Sequence, residues 1–249
     1  MRVLQFTDPH LAGSPEARVR GVDTAATLAR CVGHARRRHP QPGAILLTGD
    51  LAHDDAGGYA RLRAQFQDAA APVHCLPGNH DDPAAVREAL SGPPFVHDLA
   101  RRYGGWLVAA LDSTVAGEHG GRLAAAELER LDAALTAAPD AHALVCMHHH
   151  PVPHGSAWLD QLMLENGAEL FALLARHPGV RGIAWGHTHQ PFEGMHGHIR
   201  LMGTPSTCMQ FAQDTDQFEV DGRPPAYRWI ELEPAGGIET GIEWVDEYA

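Results

Sequence analysis

The stretch Val3-Leu4-Gln5-Phe6-Thr7-Asp8-Pro9-His10 joins an apolar, strand-like run to an Asp-x-His motif. Further motifs of the same kind follow along the chain: Gly49-Asp50, Gly78-Asn79-His80-Asp81, Met147-His148-His149 and Gly186-His187-Thr188-His189. Four of the five motifs come directly after an apolar run with β-branched residues, which indicates that their polar side chains lie where strands end. Because α/β folds bind ligands at the carboxyl ends of their strands, we expect the motifs to meet in one site.

The spacing and the chemistry of these side chains predict a metal site. In an extended segment, residues i and i+2 point the same way, about 6.6 Å apart, so Asp8 and His10 can face one cavity. The same holds for His187 and His189. Carboxylate and amide oxygens combine here with imidazole and no thiolate, which indicates Fe, Mn, Zn or Co, with iron and manganese favoured.

The chain has 18 histidines among 249 residues, so one histidine alone is weak evidence for a metal ligand. We interpret seven of them as surface or core side chains: His34, His39, His97, His142, His177, His196 and His198. The five motifs differ, because each one lies beside a glycine, a proline or a turn and most follow a strand-like run. Their joint pattern predicts two metal ions.

In this order, the motifs resemble the signature of the calcineurin-like metallophosphoesterases, and the match spans residues 8–189. The stretches HHPVPHGSAWLD (149–160) and GTPSTC (203–208) are more narrowly similar to the bacterial class III 3′,5′-cyclic-nucleotide phosphodiesterases. The resemblance implies an α/β protein with a four-layer α/β/β/α sandwich, in which both sheets lead to a two-metal site.

The resemblance also implies a role for each motif residue. The first metal would be held by Asp8, His10 and His189, and the second by Asn79, His148 and His187. Asp50 would bridge the two ions and would be catalytic together with His80. The candidate substrate contacts are Asn79, His80, His189, His149 and Thr204. The roles of His149 and His150 stay open, because consecutive residues of a strand face opposite ways.

The expected reaction is hydrolysis of 3′,5′-cyclic nucleotides, chiefly cyclic AMP to AMP. Two ions about 3.5–4 Å apart lower the pKa of a bridging water, and the resulting hydroxide attacks phosphorus. His80 would donate a hydrogen bond or a proton to the phosphoryl or leaving oxygen. His53 could orient His80, whereas Asp54 and Asp55 could serve only as caps of the next helix.

The motifs do not define the substrate. The same chemistry could act on 2′,3′-cyclic nucleotides, glycerophosphodiesters or phosphomonoesters. Trp158 or Phe211 could stack on a base, and Thr204, Ser206 or His154 could be polar contacts, but packing and turn roles are alternatives for each of them.

A non-catalytic metal-binding scaffold is a third alternative. It is disfavoured because such scaffolds usually lose ligands, and here all seven expected ligands are present.

Composition narrows the class of partner. A formal net charge of −12 argues against nucleic acid, because binding to its backbone relies on Lys and Arg. No run reaches the roughly 18 apolar residues of a membrane span, and the chain starts without a cleavable apolar segment, so we expect a cytoplasmic protein with no membrane partner.

Cys31, Cys75, Cys146 and Cys208 are expected to be buried free thiols. The expected partner is a small phosphodiester, and the resemblance suggests a homodimer.

The length and pattern predict a single domain over residues 1–249. Helices are expected at 23–38, 58–69, 83–90, 124–137 and 168–177, alternating with strands. From about residue 190 the pattern changes to strands at 195–202, 227–232 and 238–245, which are expected to complete the second sheet. Residues 220–225 are expected to form an exposed loop.

Overall fold

Two six-stranded sheets form the centre of the computed structural model, which describes residues 1–246. The last three residues of the predicted 1–249 unit lie outside the described residues. The first sheet has the order β14-β13-β1-β2-β3-β4 and the second the order β5-β6-β7-β8-β10-β9. The strands are β1 (Arg2–Phe6), β2 (Ala44–Thr48), β3 (Val73–Leu76), β4 (Phe95–Val96), β5 (Ala100–Tyr103), β6 (Trp106–Ala110), β7 (His142–Cys146), β8 (Val180–Trp185), β9 (Phe192–His196), β10 (Ile199–Gly203), β11 (Gln210–Phe211), β12 (Val220–Asp221), β13 (Ala226–Leu232) and β14 (Ile238–Trp244). Strands β11 and β12 pair with each other in a separate ribbon.

Six helices flank these sheets in the described part of the chain. They are α1 (Thr24–Arg38), α2 (Gly57–Phe66), α3 (Pro83–Ala89), α4 (Ala125–Thr136), α5 (Ala157–Asp160) and α6 (Gly167–Leu174). All five predicted helices are present, although α2 and α6 end three residues earlier than predicted. Helix α1 begins where expected because the Asp23 side chain accepts a hydrogen bond from Ala26 N at 3.0 Å.

Successive side chains of each central strand point into two different apolar layers, because both faces of each sheet are buried. In β1, Leu4 and Phe6 belong to the core under α1 and α2, whereas Val3 faces the second sheet. In β7, Val145 belongs to the core under α4 and α6, whereas Leu144 lies between the sheets. The predicted four-layer α/β/β/α sandwich is therefore confirmed.

The prediction for the C-terminal strands is wrong in part. Strands β9 and β10 extend the second sheet as expected, but β13 and β14 join the first sheet. The reason is that β13 pairs antiparallel with β1, and Arg2 Nε donates to Glu231 Oε2 at 2.9 Å across this pair. The predicted strand at 195–202 is a hairpin, because Gly197 (φ +60°) turns the chain between β9 and β10. Val220 and Asp221, predicted to be loop residues, form β12.

The strands that carry the five motifs run parallel within each sheet. Strands β1, β2 and β3 are parallel neighbours in the first sheet, and β7 and β8 are parallel neighbours in the second. Their carboxyl ends therefore open on the same side of the sandwich. No helix within residues 1–246 has the length and apolar character to cross a membrane.

Candidate metal centre and active site

Backbone hydrogen bonds hold the motifs against one another at the strand ends. Asp8 N donates to Gly49 O at 3.0 Å, and His10 N donates to Asp50 O at 2.9 Å, which joins the first two motifs. In the second sheet, Gly186 N donates to His148 O at 3.1 Å. Across the two sheets, His187 N donates to the Asp8 carboxylate at 3.0 Å. The sheet edges are thereby fixed around one site.

Five of the seven predicted ligands have a left-handed backbone. They are Asp8, His10, Asp50, His187 and His189, with φ angles of 51°, 45°, 49°, 64° and 49°. Non-glycine residues adopt this region rarely, and each one costs about 1–2 kcal/mol. Such strain concentrates at functional sites, where the surrounding structure maintains it. Here it occurs in five candidate ligands at the ends of β1, β2 and β8.

The first donor group consists of Asp8, His10 and His189, which are all buried. His10 Nε2 lies 3.1 Å from His189 Nε2, and His189 Nε2 lies 3.4 Å from Asp8 Oδ1. Asp50 Oδ2 lies 3.5 Å from His10 Nε2. Nitrogen and oxygen lone pairs thus converge on one point.

The second donor group consists of Asn79, His148 and His187. His148 Nε2 lies 3.2 Å from Asn79 Oδ1 and 3.2 Å from His187 Nδ1. Asp50 Oδ1 lies 3.4 Å from His148 Nε2, so Asp50 presents one oxygen to each donor group. A carboxylate in this position can bridge two cations.

Hydrogen bonds on the opposite ring edges select the tautomers of the donor histidines. Nδ1 of His148 donates to Thr48 O at 2.8 Å, and Nδ1 of His189 donates to Met209 O at 2.7 Å. In the neutral ring, each bond places the proton on Nδ1 and directs the Nε2 lone pair into its donor group, as metal-ligating histidines require. For His10, Nδ1 lies 3.1 Å from His53 Nδ1, so one of these two nitrogens carries the shared proton.

Burial and the neighbouring charges shift the pKa values of several donor side chains. Burial works to raise the pKa of Asp50, but the His148 and His10 rings outweigh it and hold the pKa well below its usual range. Burial holds the pKa of His10 and of His187 well below the ordinary value, which keeps both rings neutral. In addition, His187 Nε2 is buried without a hydrogen-bond partner in the described chain. The residues fit two bound cations.

His148 is the exception among these histidines. Burial opposes a proton on its ring, but the Asp50 and Asp8 carboxylates raise its pKa to about 9. The protonated His148 ring and the Asp50 carboxylate, 3.4 Å apart, therefore stabilise each other. Binding of a metal must displace this proton, so metal binding is coupled to proton release.

His80 lines the cavity above the donor groups with its ring 5.0 Å from that of His10. Its Nδ1 lies 3.0 Å from Asp54 Oδ2, and its backbone N donates to Asp50 Oδ1 at 3.0 Å. The prediction that Asp54 serves only as a helix cap is therefore wrong, because its carboxylate binds the His80 ring. His53, the predicted partner, stacks on His80 instead, at 4.9 Å between ring centres and 29°.

The fourth residue of the Gly78-Asn79-His80-Asp81 motif is a structural anchor that sequence reasoning missed. The Asp81 carboxylate accepts hydrogen bonds from Leu51 N at 2.9 Å, Ala52 N at 3.0 Å and Gly78 N at 2.8 Å. It thereby ties the loop after β3 to the loop after β2. Burial, together with the nearby Asp50, raises the pKa of Asp81 to about 6.

Two predicted substrate contacts lie away from the cavity. Thr204 is fully buried, donates to Gln5 Oε1 at 2.7 Å and accepts from Arg228 Nε at 3.0 Å, so it is part of a polar network in the core. His149 is fully buried, with Nδ1 2.8 Å from Ser113 Oγ and Nε2 3.2 Å from His119 O. Both predictions fail because these side chains have partners inside the protein.

The other uncertain residues also have supporting roles. His150 is fully buried and stacks on His187 at 5.6 Å and 21°. His154 Nε2 accepts a hydrogen bond from Trp185 Nε1 at 3.1 Å, and Ser206 Oγ donates to Asp8 O at 2.7 Å. These residues stabilise the strands and loops that carry the ligands.

A cavity of about 280 Å³ opens above the two donor groups. It is lined by His10, Val19, Arg20, Asp50, His53, Asn79, His80, His119, Trp158, Leu159, Leu162, His187, His189, Met209, Phe211 and Phe218. His119 and Arg20 were not predicted. No motif marks them, and each lies in a loop that folding brings to the cavity: His119 Nδ1 comes within 3.4 Å of Asn79 Nδ2.

Comparison with known proteins agrees with this geometry. A family model described as calcineurin-like phosphoesterase matches residues 1–191. The chain belongs to this family. The 3′,5′-cyclic adenosine monophosphate phosphodiesterase CpdA of Pseudomonas aeruginosa is 39% identical over 98% of this chain and 90% of its own length. The protein of the same name from Haemophilus influenzae is 36% identical over 99% of this chain and 91% of its own length.

The fold of this calcineurin-like phosphoesterase also occurs in solved structures. A dimetal phosphatase from Danio rerio superimposes with a TM-score of 0.69 at 14% identity, covering 99% of both chains. At this identity the likeness shows the fold alone. The family predicted from the five motifs is confirmed.

Proposed function

We propose that this phosphoesterase hydrolyses 3′,5′-cyclic nucleotides, chiefly cyclic AMP to AMP, at a two-metal centre. The observation that carries the proposal is the position of Asp50, whose two carboxylate oxygens face two separate donor groups at 3.4 and 3.5 Å. The choice of substrate is supported by two relatives, 39% and 36% identical over nearly the whole chain, that bear the name of cyclic AMP phosphodiesterase.

In this proposal each donor group holds one ion. Asp8, His10 and His189 would hold the first ion, Asn79, His148 and His187 would hold the second, and Asp50 would serve both. The mixture of hard oxygen and imidazole nitrogen favours iron or manganese, with zinc and cobalt also compatible. When bound, such a pair of ions supplies Lewis acidity toward phosphoryl oxygens and lowers the pKa of water.

The protein groups around the ions orient the phosphodiester. Asn79, His80 and His189 line the cavity and are the proposed contacts of the phosphoryl group. His80 is the proton donor to a phosphoryl or leaving oxygen, since its Nδ1 is held by Asp54 at 3.0 Å and the other ring edge is available to the cavity. Asp54 is thus a positioning residue for His80.

The size of the cavity and the buried thiols support two further parts of the proposal. A volume of about 280 Å³ lies just below the usual range for small-molecule sites, about 300–1,000 Å³, and so favours a mononucleotide over a polymer. Cys31, Cys75, Cys146 and Cys208 are buried and unpaired, which is typical of a reducing compartment, and we place the enzyme in the cytoplasm.

The test compares three substrates with the manganese-loaded protein: cyclic AMP, 2′,3′-cyclic AMP and bis-p-nitrophenyl phosphate. We expect kcat/KM for cyclic AMP to exceed the other two by about tenfold or more, because a site that fits the six-membered 3′,5′ ring aligns its phosphorus and leaving oxygen, whereas the five-membered 2′,3′ ring and the acyclic diester present them differently. Asp50→Asn should lower all rates by at least about 100-fold and reduce the bound metal, because one carboxylate serves both donor groups.

The possible outcomes separate the alternatives. Comparable rates on the three substrates would contradict a dedicated cyclic-nucleotide role and favour a broad phosphodiesterase. No turnover of any substrate by protein that holds two ions would favour the metal-binding scaffold. Full activity of Asp50→Asn would contradict the shared-carboxylate centre itself.

A further inference from the structure

The cavity above the donor groups has two chemically different halves. One half contains the histidines, Asp50 and Asn79 of the metal centre. The other is apolar and is dominated by three aromatic side chains, Trp158, Phe211 and Phe218, which we call the aromatic corner. These rings come from the short helix α5 and from the β11–β12 hairpin, so two segments distant in sequence form one wall. A ligand that fills the cavity must carry an anionic end and an apolar end.

The rings of the aromatic corner meet edge to face. Trp158 lies 5.5 Å from Phe211 at 63° and 5.4 Å from Phe218 at 79°, and the two phenyl rings lie 5.0 Å apart at 71°. Such pairs are favourable for aromatic quadrupoles, and they hold each ring in a fixed orientation. The corner is therefore a preformed surface.

The three rings are not equivalent toward a ligand. Phe211 is stacked on His189 at 3.9 Å and 6°, so one of its faces is already used to position a ligand of the first metal. Trp158 and Phe218 have no such stacked partner from the metal centre. Phe218 is 38% exposed, which is high for a phenyl ring, and it lies at the mouth of the cavity. Trp158 and one face of Phe218 remain to receive a flat group.

A cation lies beside the apolar wall. The Arg20 guanidinium is 4.3 Å above the Phe218 ring, a cation–π contact that fixes the arginine at the rim. Arg20 is the only Arg or Lys among the cavity-lining residues of the described chain. Its five N–H donors suit the ring nitrogens and carbonyl oxygens of a heterocycle. Its planar face also suits stacking.

From this geometry we propose that Trp158, Phe218 and Arg20 form a binding subsite for the purine base of the nucleotide. This inference rests on the proposed function, which brings the phosphate to the metal centre. The base then extends into the apolar half of the same cavity, where Trp158 and the face of Phe218 that Arg20 leaves uncovered offer stacking area and Arg20 offers donors. Phe211 is assigned a different task, the positioning of His189.

The test measures binding rather than turnover. Calorimetric titration of the manganese-loaded protein compares AMP with ribose 5-phosphate, which has the same phosphate and sugar but no base. We expect AMP to bind at least about tenfold more tightly, because stacking on an aromatic side chain contributes about that factor or more for one base. Trp158→Ala and Phe218→Ala should each remove most of this preference, and Trp158→Phe should keep most of it.

Val220→Ala is the matched control. Val220 lies on the same hairpin, is 46% exposed and does not line the cavity, so the preference for AMP should persist in this variant. Equal affinities of AMP and ribose 5-phosphate for the wild type would overturn the subsite. So would an undiminished preference in Phe218→Ala, whose exposed side chain can be removed even if Trp158→Ala does not fold. A preserved AMP preference in protein that does not hydrolyse cyclic AMP would refute the proposed function and support the subsite.

Discussion

One exposed carboxylate fixes the ring of the proposed proton donor. Asp54 Oδ2 lies 3.0 Å from His80 Nδ1, and the Asp54 side chain is 69% exposed. We expect Asp54→Asn to lower kcat for cyclic AMP about tenfold, because an amide holds the imidazole less firmly and the other ring edge loses its alignment. The content of two metals per chain should not change. Steady-state kinetics and elemental analysis of the same sample check both parts.

Asp55→Asn is the control for this change. Its carboxylate accepts from Gly13 N at 2.7 Å and Gly57 N at 2.9 Å, so it stabilises the loop before α2 and does not contact His80. The same loss of charge at the neighbouring position should leave kcat unchanged within about twofold. Equal effects of the two substitutions, or loss of metal from Asp54→Asn, would refute a positioning role for Asp54.

Sequence order identified the candidate ligands that the fold brings together, but not the direction of the side chains around them. The ligands could be predicted because each motif marks a strand end, and strand ends converge in this fold. The partner of His80 could not, because Asp54 has a left-handed backbone (φ +52°) that no local pattern reveals. Thr204 and His149 were predicted as substrate contacts, but their hydrogen-bond partners Gln5, Arg228 and Ser113 are distant in sequence and only the fold reveals them.

At the scale of the elements, a turn that follows a strand must leave room for neighbouring side chains as well as adopt the right backbone conformation. A Cβ on Gly78 would overlap Asp50 N and Oδ1, and the φ of Gly78 is not left-handed, so Gly78→Ala tests space alone. We expect this variant to bind manganese at least about tenfold more weakly, because Asp50 must move away from both donor groups. A calorimetric metal titration measures the change.

Gly105→Ala supplies the comparison. Gly105 lies in the turn between β5 and β6, its φ is not left-handed, and a Cβ there would meet nothing within 4 Å. Its metal affinity should equal that of the wild type. If Gly78→Ala also kept wild-type affinity, close packing of the β3 turn against Asp50 would not be a requirement of the site.

The strands themselves were predictable to different degrees. Strands β1, β2, β7 and β8 are buried apolar runs that end in a motif, and both signals lie in the local sequence. The partner of β13 was not predictable, because its pairing with β1 joins residues such as Arg2 and Glu231, which are 229 positions apart. Such long-range pairing decides which sheet a C-terminal strand joins, and hydrophobic periodicity contains no information about it.

At the scale of the whole molecule, we propose that the two sheets fold as one unit. Apolar side chains of both sheets share a single layer between them, which includes Val3 and Leu46 of the first sheet and Leu144 and Met202 of the second. A polar network crosses the same layer, in which Arg228 of β13 donates to Gly203 O of β10 at 2.8 Å. Separate folding would expose this apolar layer and break the hydrogen bond from Arg228 to the second sheet.

A buried histidine at the sheet interface makes this stability depend on pH. His74 of β3 is fully buried, and its Nε2 lies 2.7 Å from Tyr103 Oη of β5. Burial, with a smaller effect of Arg101, lowers the pKa of His74 from 6.5 to about 4. The unfolded chain therefore takes up the proton first as the pH falls. The contribution of the neutral His74 ring to the free energy of unfolding is fully present above about pH 6.5. It decreases as the pH falls from there toward 4.

His74→Gln keeps a hydrogen-bonding side chain at this interface but cannot take up a proton. At pH 5 the wild type should have lost about 2 kcal/mol through His74, and the variant should lack this loss. Denaturant unfolding of both proteins at about pH 7.5 and pH 5 gives the difference in the free energy of unfolding, and contributions of the other histidines cancel between them. An identical pH dependence of the two proteins would mean that the buried imidazole does not couple protonation to the contact between the sheets.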